Sequence, residues 1–258
     1  KVVSYNILEG MKLDKDNNYD NFVAWVSEQA PDILAIEETN GFTKETLTAL
    51  ANRWGHSHAE ICKETGYPVS LTSKYPIEVI SRIRKGVSHG GIHAQIKGIN
   101  ILVLHLYPQS YAPSGSTAAN GDAYRLEEIQ TYLDNTVRKY PDEKYWLMMG
   151  DFNSASPLDK NDLASGSNIN YQVHQTILDS GYRDPIREMN VNFVRSCPTV
   201  YGGWTGPTGS YKGSRIDFIY ASGEAMRNML NAQILMDDFT DNYSDHYPVT
   251  VTCRIYNK

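Results

Sequence analysis

The sequence predicts an α/β chain in which two stacked β-sheets are flanked by helices. Three observations lead there. Segments with apolar residues at helical spacing alternate with short apolar runs of strand length. Several of those runs follow one another with only turn residues between them, which suits antiparallel pairing. The 258 residues, 41% of them hydrophobic, contain no interdomain linker and no internal repeat, so a single domain over 1–258 with one substantial core is expected.

Residues 2–8 read as a strand. Residues 19–30 place Phe22, Val23, Trp25 and Val26 on one helical face and stop at Pro31. Residues 32–36 form a buried strand, and 43–54 a second helix ended near Gly55. Strand-like pieces follow at 57–62, 67–73, 77–83, 92–96 and 99–106, with a hairpin at Gly98-Ile99-Asn100. Residues 108–122 are loop, and 123–139 are a helix with Leu126, Ile129, Leu133 and Val137 on one face. A buried strand at 145–149 runs into Asp151, and 173–180 form a short helix closed by Gly181. Residues 199–213 are a turn-rich, aromatic loop. Strands at 214–221, 232–236 and 247–256, with a short helix at 224–230, complete the chain.

Charged residues are 21% and well spread, which excludes wholesale disorder. No apolar run approaches the roughly 20 residues that span a bilayer, so no stable membrane anchor is expected. The net charge of -6 argues against holding nucleic acid by bulk electrostatics, though not against an enzyme that touches a phosphate chain briefly. Cys62, Cys197 and Cys253 show no zinc spacing and read as buried thiols. The chain begins Lys1-Val2-Val3, which reads as a mature or trimmed N-terminus and keeps a secreted or periplasmic location among the options. A monomer is expected.

Two strings carry most of the chemistry: Gly150-Asp151-Phe152-Asn153 and Ser244-Asp245-His246. Asp151 and Asn153 are two apart, so at the end of an extended strand they point the same way; turn chemistry is their plain alternative. Asn6 sits inside a strand, where an amide competes with the ladder, and a structural hydrogen bond is its ordinary role. Glu37-Glu38 closes a buried run. A carboxylate pair there costs desolvation unless a cation or donors compensate, or unless it caps a helix or faces solvent. His105 lies in an apolar strand, where the default is a hydrogen-bonded core histidine. Asp217 is an acid in an apolar strand, with a salt bridge to Arg215 on the same face as its plain explanation. Together, these polar groups at strand ends are all of types used in metal-assisted phosphate chemistry. A hard cation takes oxygen ligands, and phosphoryl transfer needs a positioned nucleophile and donors around the phosphate.

The order Ser4-Tyr5-Asn6, Glu37-Glu38, His105-Leu106-Tyr107-Pro108, Gly150-Asp151-Phe152-Asn153, Arg215-Ile216-Asp217-Phe218 and Ser244-Asp245-His246-Tyr247-Pro248-Val249 resembles the endonuclease/exonuclease/phosphatase superfamily. Its members include pancreatic-type deoxyribonuclease, abasic-site endonucleases, neutral sphingomyelinases, inositol polyphosphate 5-phosphatases and mRNA deadenylases. The resemblance implies a four-layered sandwich of two mostly antiparallel sheets with helices outside and the site at one edge. It implies Mg²⁺, with Mn²⁺ or Ca²⁺ as alternatives, held by Glu38 with Asn6 beside it and with Asp245 as a ligand or a support for one. It implies that Asp151 orients or deprotonates the attacking water and that Asn153 helps hold it. It gives His246 the role of donor to the phosphoryl oxygens, oriented by Asp217, and His105 that of stabilising the phosphate or protonating the leaving group. Glu37 stands where the family often has Gln.

The substrate is less legible, because specificity in such folds lives in loops. Tyr111, with Tyr107 and Tyr124, and Trp204 and Tyr211, with Lys212 and Arg215, are candidates to meet a base, a sugar ring or another flat group. Packing of those loops onto the body is the alternative. The expected function is a metal-dependent phosphodiesterase or nuclease. A small-molecule or lipid-head-group phosphoesterase is the alternative. A catalytically silent binding module would be expected to lack one of Glu38, Asp151, Asn153, Asp217 or His246, and none is lost.

Overall fold

The computed structural model describes residues 1–163, 168–200 and 213–255. Among them the strands are, in chain order, β1 (Val2–Asn6), β2 (Ile33–Glu37), β3 (His58–Ile61), β4 (Ser70–Ser73), β5 (Glu78–Ile83), β6 (Gly91–Ile96), β7 (Ile99–His105), β8 (Trp146–Asp151), β9 (Asp217–Ala221), β10 (Met229–Ile234) and β11 (Val249–Cys253). One sheet has the order β10-β11-β1-β2-β4-β3 and the other β5-β6-β7-β8-β9. β1 pairs parallel with β2, and β7 with β8; the remaining pairs are antiparallel.

Alternation along each strand explains the four layers. In β1, Val2 faces one way and Val3 the other, and the two belong to different apolar clusters. Val2, Ile33, Ala35, Ile101, Val103, Leu147, Met149, Ile219, Val249 and Val251 meet between the sheets. Val3, Tyr5, Leu34 and Ile36 pack outward on the helices Asp20–Gln29 and Lys44–Asn52 through Phe22, Trp25, Leu47 and Leu50. Leu102, Leu104, Met148, Phe218 and Tyr220 pack outward on the helices Gly121–Asn135 and Gln172–Asp179 through Ile129, Tyr132, Leu133, Val173 and Ile177. Burial on both faces is why these strands read as continuous apolar runs rather than alternating ones.

The hairpin expected at residues 98–100 is a two-residue turn, with Ile96 opposite Ile99. Lys97 and Gly98 both have positive φ, as a turn matching strand twist demands. The third long helix begins at Gly121 rather than 123, because Asn120 caps it by accepting from Ala123 N at 2.9 Å, and it stops at Asn135, short of Val137. Two short helices, Pro185–Met189 and Asp238–Tyr243, were not expected from the sequence. Each is fixed by an Asp cap, Asp184 and Asp237, rather than by apolar periodicity. All three cysteines are free, and Cys62 and Cys197 are buried.

Candidate active site

The same parity that builds the core builds the site. Asp151 continues the inner-facing series Leu147, Met149; His105 continues Ile101, Val103; Asp217 precedes Ile219 and Ala221. Ser4, Asn6 and Glu37 hold the equivalent positions on β1 and β2. Register places His105 opposite Asp151 and Asp151 opposite Asp217, while Asn6 lies opposite Glu37. Strands β1, β2, β7, β8 and β9 therefore each deliver a polar side chain at this edge into the space between the sheets.

His246 arrives from the segment before β11. Ser244 Oγ donates to the Asn6 carbonyl at 2.6 Å and accepts from His246 N at 3.2 Å, which fixes that segment to β1. His246 Nδ1 lies 2.9 Å from Asp217 Oδ2, and its Nε2 lies 3.8 Å from Asp151 Oδ2. His105 Nε2 is 3.5 Å from the same Asp151 oxygen. Asp151 Oδ2 also accepts from Asn6 Nδ2 at 3.1 Å, and Oδ1 accepts from Asn153 N at 2.8 Å. Gly150 is required just before it: a Cβ there would stand 1.8 Å from the Leu104 carbonyl oxygen.

Burial shapes the electrostatics. It pushes Asp151 up to about 8, with Asp217 adding to the rise and His246 opposing it. Burial raises Glu37 well above the usual carboxylate range, assisted by Asp217, and raises Glu38 and Asp245. Burial opposes charge on His246, but the Asp217 carboxylate outweighs it, and the imidazole is held well above its ordinary value. Burial keeps His105 neutral, with His89 adding to the effect.

The expected roles meet this geometry unevenly. Asn153 does not continue the strand. It sits at φ 46, a region Asn tolerates, and its Nδ2 donates to the Leu106 carbonyl at 2.9 Å. Asn6 was expected as a metal ligand or substrate contact. Its Oδ1 is instead engaged by Leu8 N at 3.1 Å, and its Nδ2 faces Asp151 and Glu38, so here it acts as a donor that fixes both carboxylates. Glu38 has φ 59, an uncommon conformation for a non-glycine residue, and its Oε2 accepts from Glu9 N at 2.8 Å. Tyr111 is exposed, with its ring edge-on to Tyr107, 6.5 Å away. Trp204, Tyr211 and Lys212 lie outside the described residues.

Arg215 is a correction. It is buried rather than presented at the surface for a substrate, and its ion pairs are not to Asp217. Its guanidinium is buried, donates from Nε to Asp159 at 2.9 Å, lies 2.6 Å from Asp184 Oδ2 and stacks 4.4 Å from the Phe218 ring. This pairing secures residues 159 and 184 beneath the strand that carries Asp217. Arg215→Met is expected to cost about 3–5 kcal/mol, because two buried carboxylates lose their shared guanidinium and only the longer Arg187–Asp159 pair at 3.4 Å remains. Denaturant unfolding checks this; a variant as stable as wild type would remove that role.

A divalent cation fits this edge. Glu37 Oε2 and Asp245 Oδ1 are buried without hydrogen-bond partners among the described residues. The ion pairs made by Asp151, Asp217 and Asp245 are to histidines, with Lys12 acting on Asp245 without an ion pair to it. Oxygen donors of this kind suit a hard ion: Asp245 Oδ1 has no partner among the described residues, and each Glu38 oxygen, though it accepts one N–H, keeps a second lone pair. Asp151, Asp217 and His246 also come together, with ligand atoms within 4.8 Å of one another. There, however, Asp217 is already engaged by His246 Nδ1. The sequence reading passed over His89, which the structure places against His105.

Apposed carboxylates and a carboxylate-held imidazole at one end of a two-sheet sandwich define a class of phosphoester hydrolase. The family model for the endonuclease/exonuclease/phosphatase family matches residues 3–246, and the chain belongs to that family. No curated protein sequence matches it. Among solved structures, it is similar to an AP endonuclease from Archaeoglobus fulgidus, at 20% identity and TM-score 0.73, with 98% of each chain covered. It is also similar to the 3′ phosphatase NExo from Neisseria bound to product DNA hairpin, at 16% identity and TM-score 0.71, again over 98% of each chain. The 3′-5′ exonuclease NExo from Neisseria meningitidis gives 17% and 0.70 over the same shares. At these identities the likeness is one of fold.

Proposed function

We propose that the chain is a divalent-metal-dependent phosphodiesterase that cleaves nucleic acid. The observation that carries this reading is the single Asp151 oxygen flanked by two imidazoles, one of them held by Asp217. Support for a nucleic-acid substrate comes from the structural neighbours, whose names specify DNA chemistry.

In this reading Asp151 aligns the attacking water and takes its proton, because water alone is a poor nucleophile. Asn153, whose backbone N–H fixes Asp151 Oδ1 at 2.8 Å, helps hold that water. His246, cationic through its pairing with Asp217, keeps an N–H on Nε2 while Nδ1 donates to the carboxylate, so it donates to a phosphoryl oxygen as charge develops. His105, neutral, hydrogen-bonds the phosphate or the leaving oxygen. Glu38 and Asp245 would hold Mg²⁺, which when bound neutralises phosphate charge and polarises the ester.

Purified protein with Mg²⁺ is expected to nick supercoiled plasmid, and EDTA and Asp151→Ala are expected to stop it. Absence of nicking would move the substrate to RNA, a lipid head group or a small phosphoester. Glu38→Gln is expected to raise the Mg²⁺ concentration for half-maximal activity by about tenfold or more. It should also shrink the rise in Tm that Mg²⁺ gives the wild type. An unchanged metal requirement would remove Glu38 from the ligand set.

A further inference from the structure

Three histidines outside the candidate site have hydrogen-bond partners on their rings. His56 meets Thr72 Oγ1 at 2.8 Å and the Pro31 carbonyl at 2.9 Å. His174 meets Tyr220 Oη at 2.7 Å and the Ser154 carbonyl at 2.8 Å. His93 Nε2 meets Asn100 Oδ1 at 2.9 Å; its Nδ1 is bare as well, but that ring is stacked on Trp146, 4.7 Å away. His89 and His105 differ in their place: His105 Nε2 is 3.5 Å from Asp151 Oδ2, and His89 lies against His105. Nδ1 of each is buried with no hydrogen-bond partner among the described residues, and the two rings stand edge to face, 4.1 Å apart. Buried polar groups left bare cost free energy, and in a native fold each calls for an explanation.

The segment carrying His89 is firmly built. Ser88 N and Oγ both donate to Glu128 Oε1 at 2.7 Å, and Glu128 Oε2 accepts from Tyr107 N at 2.8 Å. One buried carboxylate thus ties the His89 segment to the residues just after His105. Lys63 Nζ donates to the Ser88 carbonyl at 3.0 Å. Gly90, at φ +87, lets the chain pass where a Cβ would stand 2.7 Å from Cys62 Sγ. Gly91 pairs with Leu104, so His89 enters beside His105, and the row continues through Asp151 to Asp217. On its other side His89 has the ring of Tyr67, 5.7 Å away and 42% exposed, so this wall of rings runs out to solvent.

We propose that His89 is a further substrate-contacting residue, which together with His105 offers imidazole N–H groups to an oxygen of the bound phosphoester. The proposal rests on the phosphoesterase reading. Two anchored rings whose Nδ1 atoms have no hydrogen-bond partner among the described residues, one of them beside the carboxylate assigned to align water, are matched by a ligand rich in hydrogen-bond acceptors. Burial, with Lys63 nearby, holds His89 down to about 4, so the ring is neutral at neutral pH and presents one N–H and one lone pair.

The test uses bis(p-nitrophenyl) phosphate with saturating Mg²⁺, and inorganic phosphate as a product-like inhibitor. His89→Ala is expected to lower kcat/KM by roughly tenfold or more and to weaken inhibition by phosphate by a similar factor, with Tm near wild type. His89→Gln, which keeps an N–H, is expected to recover part of both. Unchanged kcat/KM and phosphate inhibition in His89→Ala, beside an inactive Asp151→Ala, would overturn the role of His89 alone. A wild type that does not hydrolyse the diester would overturn the phosphoesterase reading as well. Should His89→Ala fail to fold, titration of the wild type with inorganic phosphate decides. Shifts of the His89 and His105 Cε1–H resonances are expected, and their absence overturns the proposal.

Discussion

Asp151→Ala is expected to lower kcat by about 10²–10⁴-fold with the fold intact, the range expected when a positioned acid–base group is lost. Three neighbouring carboxylates are already engaged. Asp217 is engaged by His246 Nδ1, Glu38 by Asn6 and the Glu9 N–H, and Glu37 by Ser4. Asp151→Asn keeps the shape but cannot accept a proton, and should lose as much. The pair of variants also has a signature in stability. Burial raises the folded-state value of Asp151 from 3.8 to about 8, so between those limits the folded protein holds a proton that the unfolded chain has released. In that window stability must fall as pH rises. The Tm of metal-free wild type is therefore expected to decline from pH 4 towards pH 8, and Asp151→Asn is expected to decline less steeply. Kinetics on a diester substrate and thermal melts across pH test both parts. Normal turnover in either variant would sink the assignment of Asp151 as base, and parallel pH slopes would show that its burial carries no charge penalty.

What the sequence made legible follows from what local physics encodes. Apolar runs at strand length gave β1, β2, β7 and β8, because strands buried on both faces have no polar positions to blur them. The site residues stood out for the same reason: Asn6, Glu37, His105 and Asp217 interrupt or close those runs. The partner of each group was not legible, because pairing is set by register across sheets. Arg215 and Asp217 are two apart on one strand, yet Arg215 is committed to Asp159 and Asp184, positions brought in by other segments. Asn153 is two beyond Asp151, but the chain leaves the extended conformation between them, and the same-face argument fails there. His89 gave only the neighbouring Gly90-Gly91 pair as a signal. That pair marks close chain approach without saying to what.

His246→Ala is expected to cost about 10²–10³-fold in kcat/KM, the scale of a lost charge-stabilising donor in a water-poor site. Asp217→Asn should cost less, since the amide oxygen can still accept from Nδ1 and only the carboxylate charge is lost. The sharper expectation concerns the double variant. Asp217 acts through His246 if its role is to hold the ring and keep it cationic, and its 2.9 Å contact to Nδ1 is the observation behind that view. Combining His246→Ala with Asp217→Asn should then be no worse than His246→Ala alone, because groups that act as a unit are non-additive. Losses that multiply would mean that Asp217 works independently. The closeness of Asp151, Asp217 and His246 supplies the alternative, a direct hold on a cation. In that case the Mg²⁺ requirement should rise in Asp217→Asn as it does in Glu38→Gln. If Asp217 serves the imidazole alone, the metal requirement stays at the wild-type value while the rate falls, and the carboxylates divide between Glu38 and Asp245 for the cation and Asp217 for the ring.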